Sequence, residues 1–140
     1  MIRGMVEQLA ARLEDNPDDL EGWLRLAQSW RVLGEWEKAR DAYARASALA
    51  PGDAALLAEY GRAIIEASPE ATIIPADAVT VFRDVLALDP DYPEALWFTG
   101  YAEAQAGDTA AARASWTRLL GLLAPGSEDH QAVQQALDSL

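Results

Sequence analysis

Between Trp23 and Pro51 the sequence sets large, small and helix-breaking residues at spacings that suit a pair of packed helices. Trp23, Leu26 and Trp30 recur at i, i+3 and i+7 and so share one face of a first helix. Ala27 is small at the place where a partner helix would come closest. Gly34 lets the chain leave the first helix through a positive φ, which glycine adopts without a Cβ penalty. Ala39, Tyr43 and Ala46 form the facing stripe of a second helix. Pro51 ends that helix, because it has no amide hydrogen to donate.

Eight or so positions agree in residue type and spacing with the tetratricopeptide repeat, a helix–turn–helix of 34 residues. Residues 20–53 are read as one complete repeat. The same template then divides the whole chain. Met5, Leu9 and Leu13, with Pro17 in the place of Pro51, make 5–17 the second half of a repeat. Asp18 or Asp19 caps the next helix, and Asp53 does so for the second repeat, 54–92. That repeat places Leu57, Tyr60, Gly61 and Ile64 on its first helix, and Ala78, Phe82, Val85 and Pro90 on or after its second. Ala78 comes five residues late, so an insertion lies around Ala67 to Ala76, with Pro69 and Pro75 inside it. The expectation is a lengthened helix or a loop.

Repeat 3, residues 93–126, carries Leu96, Gly100, Ala112, Trp116 and Leu119. Here Glu103 replaces the residue equivalent to Trp30, and Leu119 replaces an alanine. Leu119, with Leu120, Leu122 and Leu123, offers extra apolar surface. A capping helix at 127–140, started by Ser127, is expected to cover it through Val133, Ala136, Leu137 and Leu140. The fold class is therefore all-α, a tetratricopeptide α-solenoid of about three repeats with an N-terminal half repeat and a C-terminal cap, forming a single domain over 1–140. The 140 residues, 51% of them hydrophobic and 24% charged, supply enough apolar surface for such a core.

The composition also removes function classes. A net charge of −12 argues against nucleic acid, whose phosphates require a basic surface, and against an anionic membrane surface. With no cysteine, there is no disulfide, thiolate nucleophile, haem-attachment motif or cysteine metal site. No stretch approaches the ~18 apolar residues of a membrane helix. Met1 to Met5 lead directly into an acidic amphipathic helix rather than a signal peptide, so the expectation is either a cytoplasmic protein or a domain of a longer one. His130 is the only histidine and lies in the capping helix, so no catalytic triad and no metal or cofactor site is expected.

What remains is a binding surface. In stacked repeats the first helices line a concave side. The inward places are Glu21, Leu24, Gln28, Arg31 and Val32 in repeat 1, then Ala55, Ala58, Arg62, Ile65 and Glu66 in repeat 2. In repeat 3 they are Glu94, Trp97, Tyr101, Ala104 and Gln105. Trp23, Trp30, Trp36 and Trp116 occupy packing places and are assigned to the core. Trp97 lies one residue beyond the packing place that Leu96 fills, and Tyr101 follows one turn later. The expected peptide-binding groove therefore comprises Leu24, Gln28, Arg31, Val32, Ala58, Arg62, Ile65, Trp97 and Tyr101. It suits an amphipathic helix laid apolar face down. Arg31 and Arg62 would meet the acidic side chains or terminal carboxylate of such a ligand.

The chain also resembles the C-terminal tetratricopeptide domain of the CcmI/CycH family of cytochrome c biogenesis proteins, which is related to NrfG. The resemblance rests on Met5-Val6-Glu7-x-Leu9-Ala10-x-Arg12-Leu13 running into Asn16-Pro17-Asp18-Asp19-Leu20-Glu21-Gly22-Trp23. It rests also on the long second repeat and on the end, with Gly107-Asp108, Trp116-x-Arg118-Leu119-Leu120 and Leu123-x-Pro125. It implies a periplasmic domain of an inner-membrane-anchored protein, a chaperone for apocytochrome c that grips chiefly the client's C-terminal helix. Haem-ligation proteins are implied as further partners, and no direct membrane contact is implied for this domain. The alternative is a general scaffold or co-chaperone. Repeat domains that clamp the terminal carboxylate of cytoplasmic heat-shock chaperones use Lys and Asn at inward places. Here the fifth and ninth places hold Leu24 and Gln28, Ala58 and Arg62, then Trp97 and Tyr101, so that clamp is missing. An enzyme reading has nothing beyond abundant carboxylates in its favour.

Overall fold

Four of the eight helices begin at a side chain that caps them. In the structure, a computed structural model describing all 140 residues, eight α-helices and no strands form. They are α1 (Ile2–Asp15), α2 (Leu20–Val32), α3 (Trp36–Leu49), α4 (Ala54–Glu66), α5 (Ala76–Leu88), α6 (Pro93–Gln105), α7 (Thr109–Leu122) and α8 (Glu128–Asp138). Asp19, rather than Asp18, caps α2 by accepting from the Gly22 amide at 3.0 Å. Asp53, Asp108 and Ser127 accept from the amides of Leu56, Ala111 and His130, each at 3.1 Å. Such side chains satisfy amides that the first helical turn leaves unpaired. Gly34 and Gly107 turn the chain between helices at φ 75° and 82°, where a β-carbon would be strained.

The chain divides into two compact units, Met1–Pro69 and Glu70–Leu140. Unit 1 holds α1 to α4. Its core packs Val6 and Leu13 of α1 with Trp23, Leu26, Ala27 and Trp30 of α2, and with Ala39, Tyr43 and Ala46 of α3. The Trp23 indole donates to the Pro17 carbonyl at 2.8 Å, so this large side chain is buried with its polar group satisfied. Gly22 has a packing reason. A β-carbon there would lie 2.5 Å from Asp19 Oδ2 and 2.6 Å from a Leu13 methyl.

Unit 2 holds α5 to α8. Phe82, fully buried, stacks on Phe98 at 5.0 Å and joins α5 to α6. Leu96, Trp116 and Leu119 pack with Val133 and Leu137 of α8, with Leu120, Leu123, Ala136 and Leu140 against them. The last helix thus covers the apolar surface around Leu119, as the sequence led us to expect. Leu122 stays exposed. The insertion in repeat 2 is a loop, because α4 has the same 13 residues as α2 and α6. The Gln105 amide ties part of that loop to α6. It accepts from the Ile74 amide at 2.9 Å and donates to the Thr72 carbonyl at 3.1 Å.

Several expectations need correction. The first helix begins at Ile2 rather than at residue 5, and its buried side chains are Val6 and Leu13, while Met5 is exposed. Leu9 and Leu13 of the expected stripe pack on the core, and Val6 rather than Met5 completes it one turn earlier. Trp36 is 40% exposed and is not core. It stands at the first position of α3, one turn ahead of the buried stripe that begins at Ala39. In α4 the buried residues are Leu56, Ala58, Gly61, Ala63 and Ile64, with Leu57 only half-buried.

Candidate functional site

The nine expected groove residues fall seven in unit 1 and two in unit 2. In unit 1, Gln28 is exposed and Val32 is 85% exposed, whereas Leu24 packs half-buried against the core. Ile65 and Arg62 are half-buried. Ala58, 1% exposed, is closed to any ligand and drops out of the set. The apolar residues of α4 run nearly all round the helix, so repeat spacing alone does not say which of them is left open.

Arg31 is engaged by its own chain. Its Nε donates to Glu66 Oε1 and its Nη1 to Glu59 Oε2, both at 3.0 Å. Nη2 lies 2.8 Å from the same Glu66 oxygen, near enough for ion pairing but without hydrogen-bond geometry. The guanidinium also lies over the Tyr43 ring, 5.0 Å from its centroid. Burial works against the Arg31 charge, yet the Glu59 hydrogen bond, with Tyr43 and Glu66 nearby, holds its pKa above the ordinary value. Burial likewise pushes the Tyr43 hydroxyl up. Arg62 pairs with Glu59 at 3.3 Å. Of the two arginines expected to receive a ligand's carboxylate, Arg31 therefore already holds two of the protein's own and Arg62 one of the same pair. Glu59 was not expected in this role, because pairing across 28 residues depends on helix packing rather than on local pattern.

In unit 2, Trp97 and Tyr101 meet Trp116. Trp97 stacks on Trp116 at 5.5 Å, Tyr101 tilts against Trp97 at 6.0 Å, and Tyr101 meets the Trp116 edge at 6.2 Å. The Trp116 indole donates to the Trp97 carbonyl at 3.1 Å. Gly100 makes the arrangement possible, since a β-carbon there would lie 2.3 Å from Trp116 Nε1. Trp97 is thus half-buried and attached to the core, while Tyr101 is 42% exposed. Beside Trp97 a cleft of about 490 Å³ opens, lined among others by Leu119, Leu123 and Val133, with Glu94 and Asp129 as its charged lining. Sequence spacing identified Trp97 but not this cleft, which needs α8 to supply one wall. The available signal was the unusual Leu119 and the leucines after it.

No group of three or more histidine or carboxylate side chains is placed to hold a metal ion, and no helix is long and apolar enough to cross a membrane.

Residues 5–130 match the family described as "Cytochrome c-type biogenesis protein H TPR domain". The cytochrome c-type biogenesis protein CycH of Bradyrhizobium diazoefficiens is 59% identical over 39 residues, which cover 28% of this chain and 11% of that protein. The chain therefore spans a small part of the curated relative it matches. Among solved structures, a tetratricopeptide repeat protein from Parabacteroides merdae superposes with a TM-score of 0.76 at 17% identity, over 98% of this chain and 52% of that one. The Yersinia enterocolitica type III secretion chaperone SycD, in complex with a peptide of the translocator YopD, gives 0.69 at 18% identity, over 86% and 90%. At such identities these two structures establish the fold alone.

Proposed function

Because the chain belongs to the cytochrome c-type biogenesis protein H TPR-domain family, we propose that it is a non-catalytic peptide-binding module that holds apocytochrome c by its C-terminal helix. The observation that carries this reading is the unit 2 site. An open apolar cleft beside a partly exposed aromatic cluster is the surface that a helix docking by its apolar edge requires. Haem-ligation proteins are the second class of partner, since a held apocytochrome must be handed on. The domain works in the periplasm, as part of a membrane-anchored protein. A carboxylate clamp is disfavoured, because Arg31 already pairs with Glu59 and Glu66 of its own chain.

The test is a calorimetric titration with a peptide of the C-terminal helix of a c-type apocytochrome, with tryptophan fluorescence as a second readout. The expected affinity is micromolar or tighter, about −8 kcal/mol, lost when the peptide is scrambled at constant charge. Tyr101→Ala should weaken it by about 1–3 kcal/mol, as loss of a binding hot spot does. Absence of binding at millimolar peptide removes apocytochrome c as the client.

A further inference from the structure

The two units treat their aromatic side chains differently, and the difference identifies the chemistry of the partner. In unit 1 each of the three large core rings has a cation of the chain over it. Lys38 Nζ lies 4.5 Å from the Trp30 centroid, and the guanidinium groups of Arg45 and Arg31 lie 5.0 Å from Trp23 and Tyr43. In unit 2 the Trp97–Tyr101–Trp116 cluster is built of rings alone. A fourth cation, Arg3, lies 5.9 Å from the Trp30 ring, also in unit 1. Residues 70–140 contain eleven carboxylates, three arginines and no lysine, for a net charge of −8, whereas residues 1–69 carry only −4. One of the three arginines, Arg118, is held by Asp91 at 2.7 Å.

Resting on the peptide-binding reading above, we infer that the unit 2 site selects a cationic amphipathic helix. A large apolar side chain enters the cleft walled by Trp97, Leu119, Leu123 and Val133, one lysine or arginine beside it meets the Asp129 carboxylate of that cleft, and a second meets the exposed face of Tyr101, which lies outside the cleft against the end of α8. The apolar lining explains the anchor, and the charge selects between occupants. Aromatic faces attract cations through their quadrupole, and the carboxylate of the cleft attracts them by its charge. An acidic or terminal-carboxylate ligand would meet repulsion instead. Trp116, fixed by its bond to the Trp97 carbonyl and by the space at Gly100, holds the platform in place before any partner arrives.

The experiment uses the full chain and a leucine–alanine amphipathic helix peptide in three versions, with lysine, glutamine or glutamate at the same flanking positions. Affinities are read by calorimetry at about 50 and 500 mM NaCl. The lysine version should bind at least about tenfold tighter than the glutamate version at low salt, with the gap shrinking at high salt. Asp129→Asn and, separately, Tyr101→Ala should each narrow the gap at least about threefold, with folding checked by circular dichroism. Glu37→Gln, an exposed carboxylate of unit 1, should leave it unchanged. Equal affinity for the three versions overturns the inference, and so does absence of binding by all of them. Narrowing by Glu37→Gln as large as that by Asp129→Asn overturns it too, since the preference would then follow from net charge alone. An apocytochrome helix peptide that binds but ignores lysine-to-glutamate exchange removes this inference and leaves the chaperone reading. A lysine peptide that binds where the apocytochrome peptide does not removes the chaperone reading and leaves this inference.

Discussion

Unit 1 and unit 2 are built from the same kind of helix pair, yet they end with different surfaces. Unit 1 sets its own cations over its core rings, and the cleft of about 400 Å³ beside Trp23 and Trp30 is lined by Lys38 and Arg45. Its buried Trp23, Trp30 and Tyr43 lie beneath Arg45, Lys38 and Arg31, and Arg31 is tied to Glu59 and Glu66. Unit 2 closes its core with α8 but leaves an aromatic cluster, a cleft and an excess of carboxylates. One repeat pattern can therefore leave its rings under cations of the chain or present them among carboxylates. The choice lies in residues outside the pattern: the cations that cap rings in unit 1, and Leu119, Leu123 and Asp129 in unit 2.

The largest expected effects test the shared part of that comparison. Trp30→Ala and Trp116→Ala each remove a buried indole and should cost about 3–5 kcal/mol in urea unfolding. They should differ in binding. Refolded Trp116→Ala protein should lose peptide affinity, because Trp97 and Tyr101 lose their support. Trp30→Ala protein should keep it per folded molecule. If both lose affinity equally, the receptive character is not confined to unit 2.

Gly100→Ala should cost about 1–3 kcal/mol, the usual range for overpacking a filled core. Its added methyl meets Trp116 Nε1, which cannot retreat without breaking the bond to Trp97. Indole emission should shift together with stability. An unshifted spectrum at wild-type stability would mean that the platform is looser than the packing indicates. Smaller again is Arg31→Met. It should cost about 1 kcal/mol, since the network is only partly buried and Glu59 and Glu66 keep contact with solvent. Paired with Glu66→Gln in a double-mutant cycle, it should give coupling well below that of a buried pair. It should not weaken peptide binding, and a clear loss of affinity would restore Arg31 to the ligand site.

How much of this is legible in the sequence follows from the range of the forces involved. The helix pairs, their glycine turns and most caps depend on neighbours within a few residues, so Gly34, Asp53 and Ser127 could be assigned from the sequence. The burial of Trp23, Trp30 and Trp116 followed from the repeat spacing. Trp36 misled because periodicity marks a face and not an end, and the first turn of α3 lies ahead of the buried stripe. Ala58 misled because α4 is apolar on most sides. The pairing of Arg31 with Glu59 and Glu66 spans 28 and 35 residues and is fixed only when α2 and α4 are in place. Trp97 was recognised as exceptional, but its stacking on Trp116 depends on the small residue at Gly100 and on α6 and α7 coming together across the 19 positions that separate the two tryptophans.

The smallest effect concerns how unit 1 seals its other end. Arg3 Nη1 lies 2.6 Å from Glu35 Oε1, joining the start of α1 to the turn before α3, and Arg3 also stands 5.9 Å from the Trp30 ring. The hydrogen bond from Arg3 lowers the Glu35 pKa below its ordinary value. A carboxylate with a depressed folded-state pKa stabilises the fold above its unfolded pKa of about 4.5, and the contribution disappears as pH falls through the lower folded value. Glu35→Gln should therefore reduce the loss of Tm between about pH 5 and pH 3 slightly at low salt. It should change nothing at about 0.5 M NaCl, where an exposed pair is screened. A pH profile that changes strongly, or that survives high salt, would show that Arg3 and Glu35 hold α1 against the rest of unit 1. Sealing of the core would then extend beyond the rings to the first helix itself.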